Sequence, residues 1–491
     1  MNPDSQQSWL ICSNGSQMVD NEIDLLAINR GLITAPAGCG KTHLIAKALT
    51  HHSASDKPVL LLTHTNAGVV ALRARLQKAG VPSNAYRLAT IDGWAMRLIS
   101  MFPTRSAYDP DILNLANPRS DYPAIRLAAA TLLESRHLSD ILEANFCRLI
   151  VDEYQDCNEI QHCLVWFAAQ VLPTVVLGDP MQAIFTFGGA MPDWNNEVCL
   201  RFPIAGELTT PWRWKNAGAE ALGHWLLDVR KNLIAGHPVD LNSSPTEVQW
   251  VHLDGTNDHA KRLKAGLSRS PVQGGGVLII GDSTSPPSQR HFASQTPGAV
   301  TVESVDLKDL VDFANGLDLT SSNALDYVMN FAGNVMTGLG RSEFQRRVTS
   351  LRAGTAMNPA NEAEQAALNF CNSQTMDGIV NLLVELNKQP GVRSFRPHVL
   401  RSTIKALNAC ENDDPLSLYE TVVRVREENR LIGRALPKRA VGSTLLLKGL
   451  EAEVVVILNA NDLNRKNLYV AMTRGSNSLV VCSSTPQLQP S

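Results

Sequence analysis

The sequence predicts an α/β fold with parallel sheets, divided between two lobes, and three observations carry that prediction. Short β-branched runs alternate with helical patterns through the first third of the chain. The runs are continuously apolar, and polar chemistry starts where each run stops, as in strands covered on both faces. Strand-like runs then return after a long helical stretch, so a second sheet is split in sequence by an insertion.

"GLITA" (Gly31–Ala35) is a buried-strand run that leads into a glycine-rich turn and the helix-like "KTHLIAKAL". "PVLLLT" (Pro58–Thr63), "RLIVDE" (Arg148–Glu153) and "TVVLGD" (Thr174–Asp179) repeat the theme. Ligands of parallel sheets gather at the carboxyl ends of the strands, so these endings are where function is sought. Between Met96 and Ala144 the texture becomes helical, with Pro103, Pro110, Pro118 and Pro123 among the helices, which reads as a small insertion. A second α/β unit begins near Glu207 and includes "GGGVLIIGD" (Gly274–Asp282). Helical patterns fill Gly316–Arg434, with a loop at "GTAMNPANE", and strands return at "STLLL", "EVVVILNA" and "SLVVCSS". The expected organisation is a first lobe from 1–95 and 145–206 with its insertion at 96–144. A second lobe spans 207–315 and 435–491, with a helical insertion at 316–434.

Composition narrows the function. The chain has 491 residues, 44% hydrophobic and 19% charged, which excludes a disordered polymer and allows more than one core. No apolar run approaches the roughly 18 residues that span a bilayer. The N-terminus lacks a basic end and a long apolar centre, so a secretory signal is not expected. Nine scattered cysteines without a CxxC pair point away from a disulfide framework or zinc site, and toward a reducing, cytoplasmic setting. A net charge of −3 does not announce a nucleic-acid binder, so any such binding must be local.

"APAGCGKT" (Ala35–Thr42) follows a strand and opens a helix, the context a phosphate-binding loop needs. Gly38 and Gly40, flanking Cys39, let backbone N–H groups turn inward around phosphates at a helix N-terminus. Lys41 would neutralise the β- and γ-phosphates of a nucleoside triphosphate, and the Thr42 hydroxyl would ligate Mg2+. Ala35 stands where the general pattern has its first glycine; the plain alternative is a tight strand-to-helix turn. "LIVDEYQD" (Leu149–Asp156) supplies the second half: Asp152 would hold Mg2+ through water, and Glu153 would polarise the attacking water. An Asp-Glu pair alone is a weak signal, but downstream of a phosphate loop and at the end of a strand it predicts an ATPase or GTPase.

With both motifs in place, the sequence resembles the superfamily 1 helicases of the UvrD/Rep/PcrA type, which implies two RecA-like P-loop NTPase lobes. The resemblance continues in order through "LTHTNAGVVALRARL", "ATIDGWAMRLI", "GDPMQAIFTFGGA", "TPWRW", "LLLKGLEAE" and "LYVAMTRG". It implies that Gln182 senses the γ-phosphate, that Arg213 and Arg474 reach it from the second lobe, and that Glu451 binds the ribose. The adenine would lie between Trp212 and His43, with Gln17 a poorly matched candidate for reading its edge. Thr63 and Asn66 fall in the segment that grips the DNA backbone, and Phe185 and Phe187 stand at the base-stacking positions, where stacking suits a motor indifferent to sequence. Ile91 and Asp92 replace a Phe and a His of the family pattern, Gly188 an Arg, and Leu445 and Leu446 a polar pair. Ile91 cannot stack a base, and Asp92 would repel phosphate in a DNA channel.

Other signals carry less. Arg426, Arg430 and Arg434 share one helical face, a solvated stripe by default and a phosphate track as the alternative. His51 and His52 lack ligand partners at metal spacing. Both insertions are short for the family; size and motif style resemble the helicase subunit of Gabija-type anti-phage systems, which is paired with an OLD-family nuclease. The expected function is an ATP-dependent translocase or helicase on single-stranded DNA or DNA with single-stranded ends, 3′→5′ by resemblance, in antiviral defence. The alternative is a DNA-sensing regulatory ATPase that activates a partner nuclease with little unwinding of its own.

Overall fold

The computed structural model describes residues 23–52, 57–185, 189–304, 306–410, 415–431 and 437–490. Gln17, Phe187, Gly188 and Arg434, and the side chain of Arg430, lie outside the described residues. The chain divides into two compact units. Unit 1 runs to Val248 and takes in Asn461–Ser478 and Pro486–Ser491; unit 2 is Gln249–Ala460 with Leu479–Thr485. The fold is α/β, with a six-stranded sheet in each unit.

Six strands build the sheet of unit 1: β1 (Arg30–Thr34), β2 (Val59–Thr63), β3 (Tyr86–Thr90), β4 (Arg148–Val151), β5 (Thr174–Gly178) and β6 (Ile204–Glu207). Their spatial order is β3-β2-β4-β5-β1-β6, and every neighbouring pair is parallel. Side chains alternate across a strand, so a run such as Leu60-Leu61-Leu62 feeds both faces. Leu32, Leu60, Leu62, Leu149, Val151 and Val176 pack on one face, against helices 91–101, 118–134 and 159–168. Ile33, Val59, Leu61, Ile150, Val175 and Leu177 pack on the other, against helices 41–50 and 66–78. Continuous apolar runs are thus the direct consequence of a sheet covered on both sides. The helix 118–134 belongs to that covering layer, so residues 96–144 share the lobe's own core instead of standing apart from it.

The register sets the site. Thr34 pairs with Gly178, Leu62 with Val151 and Thr63 with Thr90, so the carboxyl ends of β1, β2, β3, β4 and β5 come level on one edge. Ala35 N–H donates to the Gly178 carbonyl (2.9 Å) and Asp152 N–H to the Leu62 carbonyl (2.8 Å), which carries the alignment one residue past the strands.

A two-stranded ladder in unit 1 joins β7 (Val239–Asp240) to the C-terminal strand Gln487–Leu488. The sheet of unit 2 contains β8 (Val248–His252), β9 (Val277–Ile280), β10 (Val300–Thr301), β13 (Arg439–Gly442), β14 (Ala452–Ile457) and β15 (Gly475–Ser483). The short pair β11 (Met336–Thr337) and β12 (Arg393–Ser394) lies between β10 and β13 in sequence. β10, β13, β9 and β14 run parallel in that spatial order. Helices from Lys308 to Leu431 enclose a core of their own, built on Phe313, Val328, Phe331, Phe370, Leu382 and Leu383.

One buried arginine ties that helical core to the sheet of unit 2. Arg396 is 1% exposed; its Nε and Nη2 grip Glu303 (2.6 and 2.8 Å), and Nη2 also reaches Asp309 (2.7 Å). Arg290 holds the same Asp309 (2.7 Å). A buried bidentate pair is costly to half-remove, because the remaining charge has no water to return to. Arg396→Met is expected to lower stability by about 3–5 kcal/mol, and Arg396→Met with Glu303→Leu by much less. Urea denaturation checks this; equal losses in the two variants would contradict it.

Candidate nucleotide site

The phosphate-loop sequence bends as its glycines allow. Gly38 and Gly40 take φ of 72° and 88°, the left-handed region that only glycine enters at little cost. Helix 41–50 then starts at Gly40 with no side-chain cap and no acidic residue in its first turn. An uncapped N-terminus presents unpaired N–H groups and the positive end of the helix dipole, which is an anion site by construction. Ala35 and Cys39 are buried, Thr42 is half-buried at the start of the helix, and His43 is exposed. Ala37 N–H donates to the Tyr469 hydroxyl (3.1 Å), which anchors the front of the loop.

Two carboxylates meet the loop from β4. The Lys41 ammonium lies 2.6 Å from Glu153 Oε1 and 3.1 Å from Asp152 Oδ1. Burial works against the Lys41 charge, but the Asp152 and Glu153 carboxylates outweigh it and hold the ammonium above its ordinary range. Burial raises the Asp152 carboxyl, with Lys41 opposing. The approach to Asp152 Oδ1 is an ion pair without hydrogen-bond alignment, so this buried oxygen keeps lone pairs for another cation. Glu153 sits at φ 54°, a left-handed conformation uncommon for a residue with a side chain, and Gln155 Nε2 donates to its Oε2. No cluster of three or more His, Cys, Asp or Glu suited to a metal occurs among the described residues. Mg2+ does not need one: it is commonly held by one or two carboxylates together with substrate phosphates. Asp152 is such a carboxylate, and its Oδ1 is buried without an aligned hydrogen bond.

Asp179, at the end of β5, is completely buried. Its Oδ1 accepts the Met181 N–H (3.1 Å) and its Oδ2 the Gln182 side-chain amide (3.2 Å), while its own N–H donates to Gln155 Oε1 (3.2 Å). Gln155 therefore spans Glu153 and Asp179.

The residues of "TPWRW" divide their tasks. Trp214 is buried against Gly38 and donates its indole N–H to the Gly475 carbonyl (2.8 Å). Trp212 is 39% exposed and lies over Gly40, with the Lys215 ammonium 5.5 Å from its ring centroid. Trp214 is thus the packing member and Trp212 the one open to a ligand. Arg213 donates its backbone N–H to the Gly38 carbonyl (3.0 Å) and its guanidinium to the Thr473 carbonyl. Arg474 is buried, with Nε on the Val470 carbonyl (3.0 Å) and Nη2 on Thr473 Oγ1 (3.2 Å). The sequence reading puts Arg213 and Arg474 on the second lobe; in the structure both belong to unit 1 with Lys41, where Arg213 bonds Gly38 of the phosphate loop and Thr473 beside Arg474. Glu451 is exposed in unit 2, after the turn at Gly449.

Thr63 is buried at the end of β2 with its hydroxyl unbonded, and Asn66 is exposed at the start of helix 66–78. Phe185 is half-buried, its ring 5.9 Å from that of His64 and tilted by 39°. Ile91 is fully buried in the lobe's core, so it contacts no ligand. The expectation that Asp92 repels phosphate needs correction. Arg126 grips it through Nε and Nη2 (2.7 and 2.6 Å), and Gln161 donates to it as well (2.8 Å). Its charge is already matched inside the protein. Leu445 and Leu446 are half-buried in unit 2, and Arg426 pairs with Glu427 (3.1 Å). The eight described cysteines are all free thiols.

A family model described as an AAA domain matches residues 23–188, the stretch that carries the phosphate loop and both carboxylates. None of the curated proteins matches the chain. Among solved structures, one that matches is arterivirus nonstructural protein 10 (helicase) in complex with DNA, at 10% identity and a TM-score of 0.35. That match covers 94% of this chain, and this chain spans 61% of that one. A superposition this loose carries no argument about function. No helix among the described residues is long and apolar enough to cross a membrane.

Sequence motifs did not single out His64, Tyr469 or His162. The Tyr154 hydroxyl and His162 Nδ1 share a hydrogen bond (2.6 Å) three residues after the end of β4. Burial first, and the Arg201 guanidinium second, push the His162 imidazole from 6.5 down to about 4. The unfolded chain therefore takes up the proton first as pH falls from about 6.5 toward 4, and the folded state loses on the order of a few kcal/mol over that window. Urea midpoints measured across it are expected to fall in the wild type and to fall less in His162→Gln. An unchanged acid slope in the variant would contradict the assignment.

Proposed function

We propose that this chain is a Mg2+-dependent ATPase that acts on single-stranded DNA. One observation carries the proposal: the Lys41 ammonium, at an uncapped helix N-terminus, is held by the two carboxylates that end β4. Phosphate oxygens entering the loop would compete for Lys41 and for the N–H groups of the first turn. Lys41 then neutralises charge on the β- and γ-phosphates, and Glu153, steadied by Gln155, orients the attacking water and accepts its proton. Mg2+ beside Asp152 and Thr42 would supply further neutralisation of the phosphate oxygens. By resemblance Gln182 is the γ-phosphate sensor, Arg213, bonded to Gly38 of the loop, a transition-state cation, and Arg474 the second arginine of that set. Trp212 offers a face for the adenine, and by resemblance His43 would take its other side.

The DNA half of the proposal rests on the ordered motif series; Thr63 ends β2, Asn66 opens the helix after it, and Phe185 lies beside His64 between them. Movement in the 3′→5′ direction, a role in anti-phage defence and an OLD-family nuclease partner are proposed from resemblance. A second reading, a DNA-sensing ATPase subunit with little unwinding of its own, is favoured by the burial of Ile91 where the related motors carry a base-contacting aromatic.

ATP turnover measured with and without single-stranded DNA tests the proposal. The wild type is expected to be stimulated by DNA, and Lys41→Ala and Glu153→Gln to lose on the order of a hundredfold or more. Turnover above about a tenth of wild type in either variant would contradict the site. Strand displacement by the isolated protein separates the motor from the sensor: robust unwinding removes the second reading.

A further inference from the structure

Helix 220–235 carries a buried arginine that lies in none of the sequence motifs. Arg230 places both Nε (3.1 Å) and Nη2 (2.9 Å) on Asp179 Oδ1, and Nη1 on Glu207 Oε1 (3.3 Å) at the end of β6. Asp179 has no exposure to solvent, so an ionised carboxylate there depends on this guanidinium. Its other oxygen receives the Gln182 amide at 3.2 Å. A carboxylate only accepts hydrogen bonds, so Gln182 must turn its NH2 toward Asp179 and its carbonyl the other way. The orientation of this amide is therefore set by the place of the Asp179 carboxylate, which Arg230 fixes. The same carboxylate also accepts the Met181 N–H (3.1 Å), and the backbone of Asp179 reaches Glu153 through Gln155. Tyr469 lies within electrostatic reach of Asp179 and Arg230 while its hydroxyl accepts the Ala37 N–H of the phosphate loop.

We propose that Arg230 is a positioning residue for ATP hydrolysis: by holding the Asp179 carboxylate it sets which way the Gln182 amide faces at the nucleotide site. The proposal rests on the ATPase reading and adds to it a residue that acts through another, without touching substrate. Lysine would keep the charge but not the planar fork, so it should substitute only in part.

The test is steady-state ATP turnover by the full chain, with circular dichroism and thermal melts to establish folding. Arg230→Met is expected to lower kcat about tenfold while KM for ATP stays within about twofold, with Arg230→Lys between it and wild type. The double variant Arg230→Met/Gln182→Ala is expected to be no slower than Gln182→Ala alone, because both changes remove one device. A folded Arg230→Met with wild-type kcat, a rise in KM with kcat preserved, or deficits that multiply in the double variant would each overturn the proposal. Should Arg230→Met fail to fold, Arg230→Met/Asp179→Leu removes the stranded charge and is judged by the same criteria. If wild-type turnover is indifferent to Lys41→Ala, the ATPase reading fails and this proposal with it. If turnover depends on Lys41 but not on Arg230, this proposal alone fails.

Discussion

The ammonium of Lys41 between Asp152 and Glu153 is the interaction on which the rest of unit 1 turns. Three charges brought together at the edge of a protein interior are expensive unless they compensate one another. The compensation here is incomplete by design of the geometry: Asp152 Oδ1 has an ion pair but no aligned hydrogen bond, and the adjoining helix N-terminus has no cap. Both features favour a ligand that brings negative charge and a divalent cation together, as a nucleotide triphosphate does.

The scaffold explains why those groups meet. In an all-parallel sheet every strand ends on the same edge, so residues far apart in sequence arrive side by side without a dedicated loop to carry them. β1 delivers the phosphate loop, β4 the two carboxylates and β5 Asp179. Hydrogen bonds through Gln155 then tie the β4 and β5 endings, and Arg230 ties Asp179 to Glu207 at the end of β6. The segment Asn461–Ser478 joins the same unit and supplies Tyr469 to the loop. Lys41, Glu153, Gln155, Asp179 and Gln182 thus form a short series of direct contacts.

Much of this was legible in the sequence, for physical reasons that differ by element. The strands of unit 1 announce themselves because burial on both faces demands unbroken apolar runs, as at Val59–Thr63 and Thr174–Gly178. Gly38, Gly40, Lys41, Asp152 and Glu153 are readable because phosphate and metal chemistry fixes both residue type and spacing. Asp92 misled, because a charge reads as exposed until its partner is known, and Arg126 lies in another helix. Arg230 was invisible for the same reason: a lone arginine in an amphipathic helix gives no hint of the carboxylate it will meet. The division into units differs from the sequence boundaries at 207–248, 461–478 and 486–491, segments that belong to unit 1 and meet through contacts such as Trp214 to Gly475. Periodicity carries no such information.

The most direct test of the central claim is the affinity of a fluorescent ATP analogue, measured by anisotropy with Mg2+ and with excess chelator. Wild type is predicted to bind tightly only with Mg2+, and Asp152→Asn to lose most of that difference while staying folded. Lys41→Ala is predicted to weaken binding under both conditions. Equal affinity with and without Mg2+, or an Asp152→Asn protein that keeps the full Mg2+ dependence, would contradict a site built on the Lys41, Asp152 and Glu153 triad.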